Sequence, residues 1–149
     1  MGLKISSLEH VVDDEGEWED IKVWGLDPST QKYPRVKVRS LLSKDYQTAR
    51  EMLIQKETSN LGRAPTSPEL EPALGELVAT HLLRGWEGFD GDDGKSLAWS
   101  MKTGIDYLTN AAYRAVESQV ILAASRVGDR DAKFTEAAAK NSEAPSATI

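Results

Sequence analysis

The alternation of apolar and polar residues predicts two β-strands in the first third of the chain. In "EWEDIKVWGL", Ile21 and Val23 alternate with charged residues, as the inward positions of a half-buried strand do. "RVKVRS" repeats the pattern with Val36 and Val38. The turn and breaker residues between the two runs, "DPSTQKYP", indicate that the strands form a β-hairpin with a long loop over about residues 18–39.

An isolated hairpin is marginally stable in water, so its apolar face must be covered or extended. Helices that follow in the chain can cover it, and the segment Leu3–Val12 is a candidate third strand. The first part of the chain is therefore predicted to be a β-hairpin or a small antiparallel sheet.

From Ser43 onward the apolar residues recur at the spacing of helices. Residues of N-capping type precede the predicted helices, and a proline follows the second of these caps, Ser67. Gly128 either bends the last helix or ends it. The predicted helices cover about residues 44–59, 68–84, 100–109 and 111–139.

These elements predict an α+β fold that is mostly α, with the N-terminal hairpin or sheet followed by a small bundle of four or five helices. A length of 149 residues favours one domain, which we place at residues 1–140. Residues 141–149 are small and mostly polar, and we expect them to form a flexible C-terminal tail.

Charge and composition narrow the function classes. The 18 Lys and Arg against 24 Asp and Glu give a net charge of -6, which repels phosphate backbones and argues against general nucleic-acid binding. One basic stripe, Arg35, Lys37 and Arg39, is expected on the outer face of the second strand, where it is either solvated or meets an acidic partner or RNA.

We find no signal-peptide core, no membrane-length apolar run and no cysteine, which favours an unexported protein without membrane contacts in a reducing compartment.

The acidic stretch "GWEGFDGDDGKSLAWS" raises the possibility of a calcium loop. A helix-loop-helix site needs oxygen ligands at positions 1, 3, 5 and 12 and glycine at position 6. If Gly94 is placed at position 6, Phe89 and Gly91 fall on ligand positions and offer no side-chain oxygen. If Asp90 is placed at position 1, Met101 falls on the ligand position 12. We therefore predict no metal, and a glycine-rich turn with solvated aspartates.

Catalytic and cofactor motifs are also missing from the sequence. The two histidines, His10 and His81, have no catalytic partner at motif spacing, and neither a phosphate loop nor a dinucleotide fingerprint occurs. We expect the protein not to be an enzyme and to carry no cofactor.

Apolar side chains are the remaining candidates for function. Tyr46 and Leu53 lie on the apolar face of the first predicted helix, and Leu74 lies on that of the second. Three aromatic residues flank the glycine turn and either face a partner or plug the core between the second and third helices, of which we favour the plug. The candidate partner-binding residues are Tyr46, Leu53, Leu74, Trp86, Phe89 and Trp99.

The order of motifs resembles the tail assembly chaperones encoded in the tail gene cluster of long-tailed bacteriophages and prophages. The resemblance rests on "VKVRSLLSKDYQTAREML", "ALGELVATHLLRGWEGF", the acidic glycine turn and "AASRVGDRDAKF", which together cover about residues 35–140. The long hairpin and Trp99 depart from the usual pattern of this family.

The resemblance implies a non-enzymatic role in virion morphogenesis. Such chaperones bind the helical tape measure protein, help to recruit the tail tube protein, self-associate and are then shed, so the expected location is the host cytoplasm. In many relatives a frameshift adds a longer C-terminal segment. The alternative is a minor structural component of the phage tail or head-tail region that is retained in the virion, with the virion tail as its location. In that case the hairpin pairs edge to edge with neighbouring copies.

Overall fold

The computed structural model describes the backbone of residues 15–147 and the side chains of residues 15–133 and 136. Its three strands are β1 (Glu17–Asp20), β2 (Arg35–Val38) and β3 (Leu83–Glu87). Its four α-helices are α1 (Lys44–Leu61), α2 (Ala73–His81), α3 (Met101–Leu108) and α4 (Arg114–Ala147). Short 3-10 turns, Pro68–Leu70 and Ala111–Tyr113, precede α2 and α4. The predicted α+β, mostly α class is confirmed.

The strands form an antiparallel sheet in the order β1-β2-β3. In the central strand, Val36 lies opposite Glu19 of β1 and Trp86 of β3. Val36 and Val38 are fully buried, as their alternation predicts, because α4 packs on this face of the sheet. The other face of β2 carries Arg35, whose guanidinium lies 4.3 Å from the ring centre of Trp18.

The third strand lies where the sequence predicts the end of a helix. The second helix is expected over residues 68–84, but α2 ends at His81 and Leu83 already belongs to β3. The apolar residues that lead up to residue 83 follow a helical spacing, so the pattern alone extends the helix to this point. The strand conformation of β3 depends instead on pairing with β2, which is distant in the sequence. The candidate strand Leu3–Val12 falls outside the described residues.

Two residues of the hairpin, Val23 and Arg39, are placed differently from the prediction. Ile21, directly after β1, is buried, whereas Val23 is 64% exposed. The strand ends at Asp20, so the alternation expected at Val23 has no sheet to define an inner face. Arg39 is also buried instead of outward, because β2 ends at Val38 after an irregularity in its pairing with β3.

Helix α2 is the centre of the helical layer and contacts α1, α3 and α4. It approaches α3 at Gly75, which is buried. A methyl group on Gly75 would overlap the carbonyl group of Leu108, which is itself fully buried. The absence of a side chain at Gly75 therefore sets how closely the two helices pack.

Helix α4 runs unbroken through Gly128, where the sequence predicts a bend or an end. Gly128 is buried, and a methyl group placed on it would lie 3.4 Å from Ser40 Oγ and 3.5 Å from Leu42 Cγ, which are ordinary packing distances. Ion pairs join the helix to β1: Arg126 Nε lies 3.0 Å from Glu19 Oε1, and Arg130 Nη2 lies 2.9 Å from Glu19 Oε2. The helix continues to Ala147, past the predicted boundary at residue 140, and the flexibility of residues 141–149 stays a prediction.

Within residues 15–147, no helix combines the length and the apolar character needed to cross a bilayer.

We expect Gly75→Ala to lower the free energy of unfolding by about 1–3 kcal/mol, the range for overpacking a tight core. The added methyl group forces α2 away from the backbone of Leu108. Chemical denaturation measures the change, and Glu76→Ala, at the exposed neighbouring position, is the control. A Gly75→Ala variant as stable as the control would contradict the close packing of α2 on α3.

Candidate functional site

The structure divides the predicted partner-binding residues between two surfaces. The helical groove, which includes Tyr46 and Leu74, is lined by Leu41, Tyr46, Gln47, Arg50, Leu74 and Ile121. The aromatic pocket, which includes Trp86 and Phe89, is lined by Val36, Trp86, Phe89, Asp90, Gly91, Asp92, Leu97, Tyr107, Tyr113 and Val116. Leu53 and Trp99 line neither surface.

The helical groove lies between α1, α2 and α4 and has a volume of about 290 Å³. Tyr46 is almost fully buried, while Leu74 and Ile121 are only partly covered and pack against the core. Gln47 Nε2 donates a 2.6 Å hydrogen bond to the carbonyl of Leu41, which ties the start of α1 to the segment that leaves the sheet. The groove is therefore a preformed, mostly apolar surface with polar groups at Gln47 and Arg50.

Leu53 extends the same side of α1. It follows Tyr46 by seven residues, which is close to two helical turns, and it is half-buried. Met52 points to the other side of the helix and is 66% exposed. Helical spacing places Met52 on the same apolar face as Tyr46 and Leu53, and its exposure shows that this part of the predicted face is wrong.

Two carboxylic acids meet near Tyr46. Glu117 of α4 is buried and shares a hydrogen bond with Glu71, and Arg114 Nη1 lies 3.2 Å from Glu117 Oε2 and 3.3 Å from Glu71 Oε2. Burial, followed by the hydrogen bond and negative charge of Glu71, raises the pKa of Glu117 to about 8. Burial also raises the pKa of Tyr46. At neutral pH Glu117 is therefore largely protonated and donates to Glu71.

The aromatic pocket is built around Trp86. Its indole Nε1 donates a 2.8 Å hydrogen bond to the carbonyl of Leu97, and its side chain is buried with 8% exposure. The rings of Phe89 and Tyr107 each lie 6.1 Å from Trp86, at 68° and 84° to its plane. Tyr113 packs on Tyr107 with ring centres 4.9 Å apart. The pocket walls are therefore aromatic rings held in edge-to-face contact.

The acidic glycine turn closes one side of the pocket. Leu97 N donates to Phe89 O and Gly91 N donates to Lys95 O, both at 2.8 Å, so residues 89–97 form a small folded-back loop. Asp93 accepts a 3.0 Å hydrogen bond from Lys95 N and shapes the turn, whereas Asp90 and Asp92 line the pocket. Among the described residues, no group of three or more His, Cys, Asp or Glu side chains is arranged to hold a metal ion.

Trp99 lies between the acidic turn and α3. It is partly buried, packs against the core, and its indole Nε1 would lie 3.2 Å from a methyl group placed on Gly104. Trp86 and Trp99 thus both point toward the core, which agrees with the plug that the sequence analysis favours. No observation tests any of the six residues as a partner contact, so these roles stay predictions.

The outer face of the sheet contains only part of the predicted basic stripe. Arg35 pairs with Glu87 through a 2.7 Å hydrogen bond and stacks on Trp18, and Lys37 lies 6.0 Å from the same ring. Arg39 instead donates to the carbonyl of His81 at 3.2 Å from a buried position. The predicted stripe is therefore divided. Arg35, which pairs with Glu87, and Lys37 stay on the outer face of the sheet, whereas Arg39 is buried.

Several lining residues of both surfaces are not among the six predicted partner-binding residues. Tyr107 and Tyr113 belong to α3 and the turn before α4, and they meet Trp86 and Phe89 only in three dimensions. Ile121 lies on α4, far in sequence from the Tyr46 region that it faces across the groove. The local signals are the aromatic character of the two tyrosines and the helical spacing of Tyr113 with Val116 and Val120 on the inward face of the last predicted helix.

We expect Trp86→Ala to lower the free energy of unfolding by about 3–5 kcal/mol, the usual range for truncating a large buried aromatic residue. The change removes the packing of the indole on Phe89 and Tyr107 and its hydrogen bond to Leu97. Thermal or chemical denaturation measures it, with the exposed Asp92→Asn as the control that changes little. An unaltered melting temperature for Trp86→Ala would show that this side chain does not support the core.

The raised pKa of Glu117 predicts a pH-dependent stability. Between pH 4.5, its ordinary value, and about 8, Glu117 is protonated in the folded state and ionised in the unfolded state. The free energy of unfolding therefore decreases as pH rises through this window. Glu117→Gln cannot ionise and still offers a donor to Glu71, so we expect it to gain stability relative to the parent protein between pH 5 and pH 8.

Denaturation midpoints at both pH values measure this effect. Glu76→Gln, which changes an exposed carboxylate, is the matched control and should follow the parent protein. Equal pH dependence of Glu117→Gln and the parent protein would rule out the proton uptake at Glu117.

Comparison with known proteins places the chain in a viral context. No curated protein and no solved structure matches it. The sequence model of the family described as YdaY prophage protein matches residues 39–141. This range begins directly after β2, contains α1, α2, β3 and α3, and ends inside α4. Both the helical groove and most of the aromatic pocket lie within this match. The chain therefore belongs to the YdaY prophage protein family.

Proposed function

We propose that this prophage protein is a tail assembly chaperone that binds the tape measure protein and helps to recruit tail tube subunits during morphogenesis. The observation that carries the proposal is the helical groove, a preformed apolar surface between three helices. A chaperone of this kind has to cover the apolar face of a long helical client before the tail polymerises. An amphipathic helix that lays its apolar side into a groove is a recurring way to do so.

The chemistry of the groove fits this client. Leu74 and Ile121 offer partly covered apolar area, so binding removes further apolar surface from water. Gln47 and Arg50 supply polar contacts beside them, which helps to orient a helix. The groove walls come from regular helices, so little conformational entropy is lost on binding.

The proposal implies a transient, self-associating protein in the host cytoplasm that acts without catalysis. The net charge of -6 keeps such an abundant protein soluble before assembly. The family membership supports a phage-related role, and the resemblance of residues 35–140 to tail assembly chaperones supports the more specific one.

A second candidate is a minor structural component that remains in the virion tail. The position of β1 at one edge of the described sheet favours it, because an edge strand can pair with a neighbouring copy. The two candidates differ in where the protein is found after assembly. The chaperone is present in lysate from induced cells and absent from purified particles, whereas the structural component is present in both.

We expect Ile121→Lys and Leu74→Lys to weaken binding to the tape measure protein encoded by the same prophage by roughly tenfold or more, as expected for loss of a central apolar anchor. Each change places a charge on one wall of the groove. Calorimetry or co-purification with the co-expressed tape measure protein measures the loss.

Met52→Lys is the matched control, since it introduces the same charge on α1 away from the groove. Arg50→Glu changes an exposed residue that lines the groove, so it tests the groove even if Ile121→Lys or Leu74→Lys does not fold. We expect it to weaken binding as well. The proposal fails if the parent protein does not bind the tape measure protein, or if Met52→Lys impairs binding as much as Ile121→Lys.

A further inference from the structure

The aromatic pocket has the size of a single side chain. Its volume is about 150 Å³, well below the roughly 300–1,000 Å³ of pockets that hold cofactors or drug-sized ligands. A cavity of about this volume accepts a group the size of benzene. The pocket therefore fits one side chain of another protein better than a free metabolite.

The walls are fixed before any ligand enters. Trp86 is held by its hydrogen bond to Leu97, and Leu97 is held in turn by the backbone hydrogen bond to Phe89. Phe89 and Tyr107 stand nearly perpendicular to the indole plane. The lining contains four aromatic rings, and a cation over the face of such a ring is attracted when it lies within about 6 Å of the ring centre.

The charged groups of the pocket all have one sign. Its lining within the described residues contains two charged side chains, Asp90 and Asp92, and both are exposed carboxylates. Asp93, the third acid of the turn, is engaged with the backbone of Lys95. Aromatic rings with two carboxylates beside them favour a cation over a neutral or anionic group.

We infer that the aromatic pocket receives one lysine or arginine side chain of a partner protein. The alkyl stem of that side chain packs against Val116 and Leu97, and its charged end lies between the rings and the carboxylates of Asp90 and Asp92. This site shares no lining residue with the helical groove, so it stands whether or not the groove binds a tape measure protein.

The test is a titration of the full-length protein with three small probes that differ only at the side chain end. The probes are the Nα-acetyl amides of lysine, arginine and norleucine, and the readout is the NMR signal of the Trp86 indole N–H. We expect the lysine or arginine probe to bind about fivefold or more tightly than norleucine. We also expect added salt to weaken this preference.

Substitution of Asp90 and Asp92 tests whether their carboxylates cause the preference for the cationic probes. Asp90→Asn together with Asp92→Asn should remove the preference for the cationic probes and leave the affinity for norleucine unchanged. The matched control is Asp129→Asn combined with Asp106→Asn, two exposed acids outside the pocket that produce the same change in net charge. Phe89→Leu, which keeps an apolar wall but removes a ring, should weaken the cationic probes more than norleucine.

Three results would overturn the inference. The first is norleucine binding as tightly as lysine and arginine, which would make the pocket a site for an apolar side chain. The second is an unchanged preference in the Asp90→Asn, Asp92→Asn variant. The third is an indole signal that none of the probes shifts.

Discussion

The hydrogen bond from the Trp86 indole to the carbonyl of Leu97 joins the third strand, the end of the acidic turn and the aromatic pocket. Trp86 sits in β3 opposite Val36, so its backbone completes the sheet while its ring joins the core. The same ring supports Phe89 and Tyr107. Most buried N–H groups have an acceptor, and the one of Trp86 uses the carbonyl of Leu97, which ties the end of the acidic turn to the pocket wall.

The helical groove depends on a different part of the molecule. Its helices meet around α2, where Gly75 permits close approach to α3, and where Glu71 and Glu117 are brought together beside Arg114. Burying two acids side by side is tolerated because one of them, Glu117, keeps its proton. The two surfaces of this prophage protein differ in chemistry, because the helical groove is mostly apolar whereas the aromatic pocket has two carboxylates beside its rings.

The candidate surfaces were only partly predictable. Tyr46 and Leu74 stand out because helical periodicity identifies the apolar side of a helix, and Trp86 stands out because a large aromatic residue beside a glycine turn usually anchors a core. Tyr113 belongs to the apolar side predicted for the last helix, but nothing local shows that it meets Tyr107, and Ile121 lies outside that predicted side. Each becomes part of a site only because α4 or its preceding turn packs against elements far away in the sequence.

By itself the sequence determined the fold class, the burial of Val36 and Val38, the four helical regions and the helix start at Ser100, whose hydroxyl accepts from Thr103 N at 3.1 Å. These features follow from interactions between residues a few positions apart. Only the tertiary structure decided that Leu83–Glu87 forms a strand, that Arg39 is buried and that α4 passes Gly128 without a break. In each case the partner is remote in sequence: β2 for the strand, the carbonyl of His81 for Arg39, and Ser40 for Gly128. Local periodicity carries no information about such partners, because long-range pairing and packing override weak local preferences.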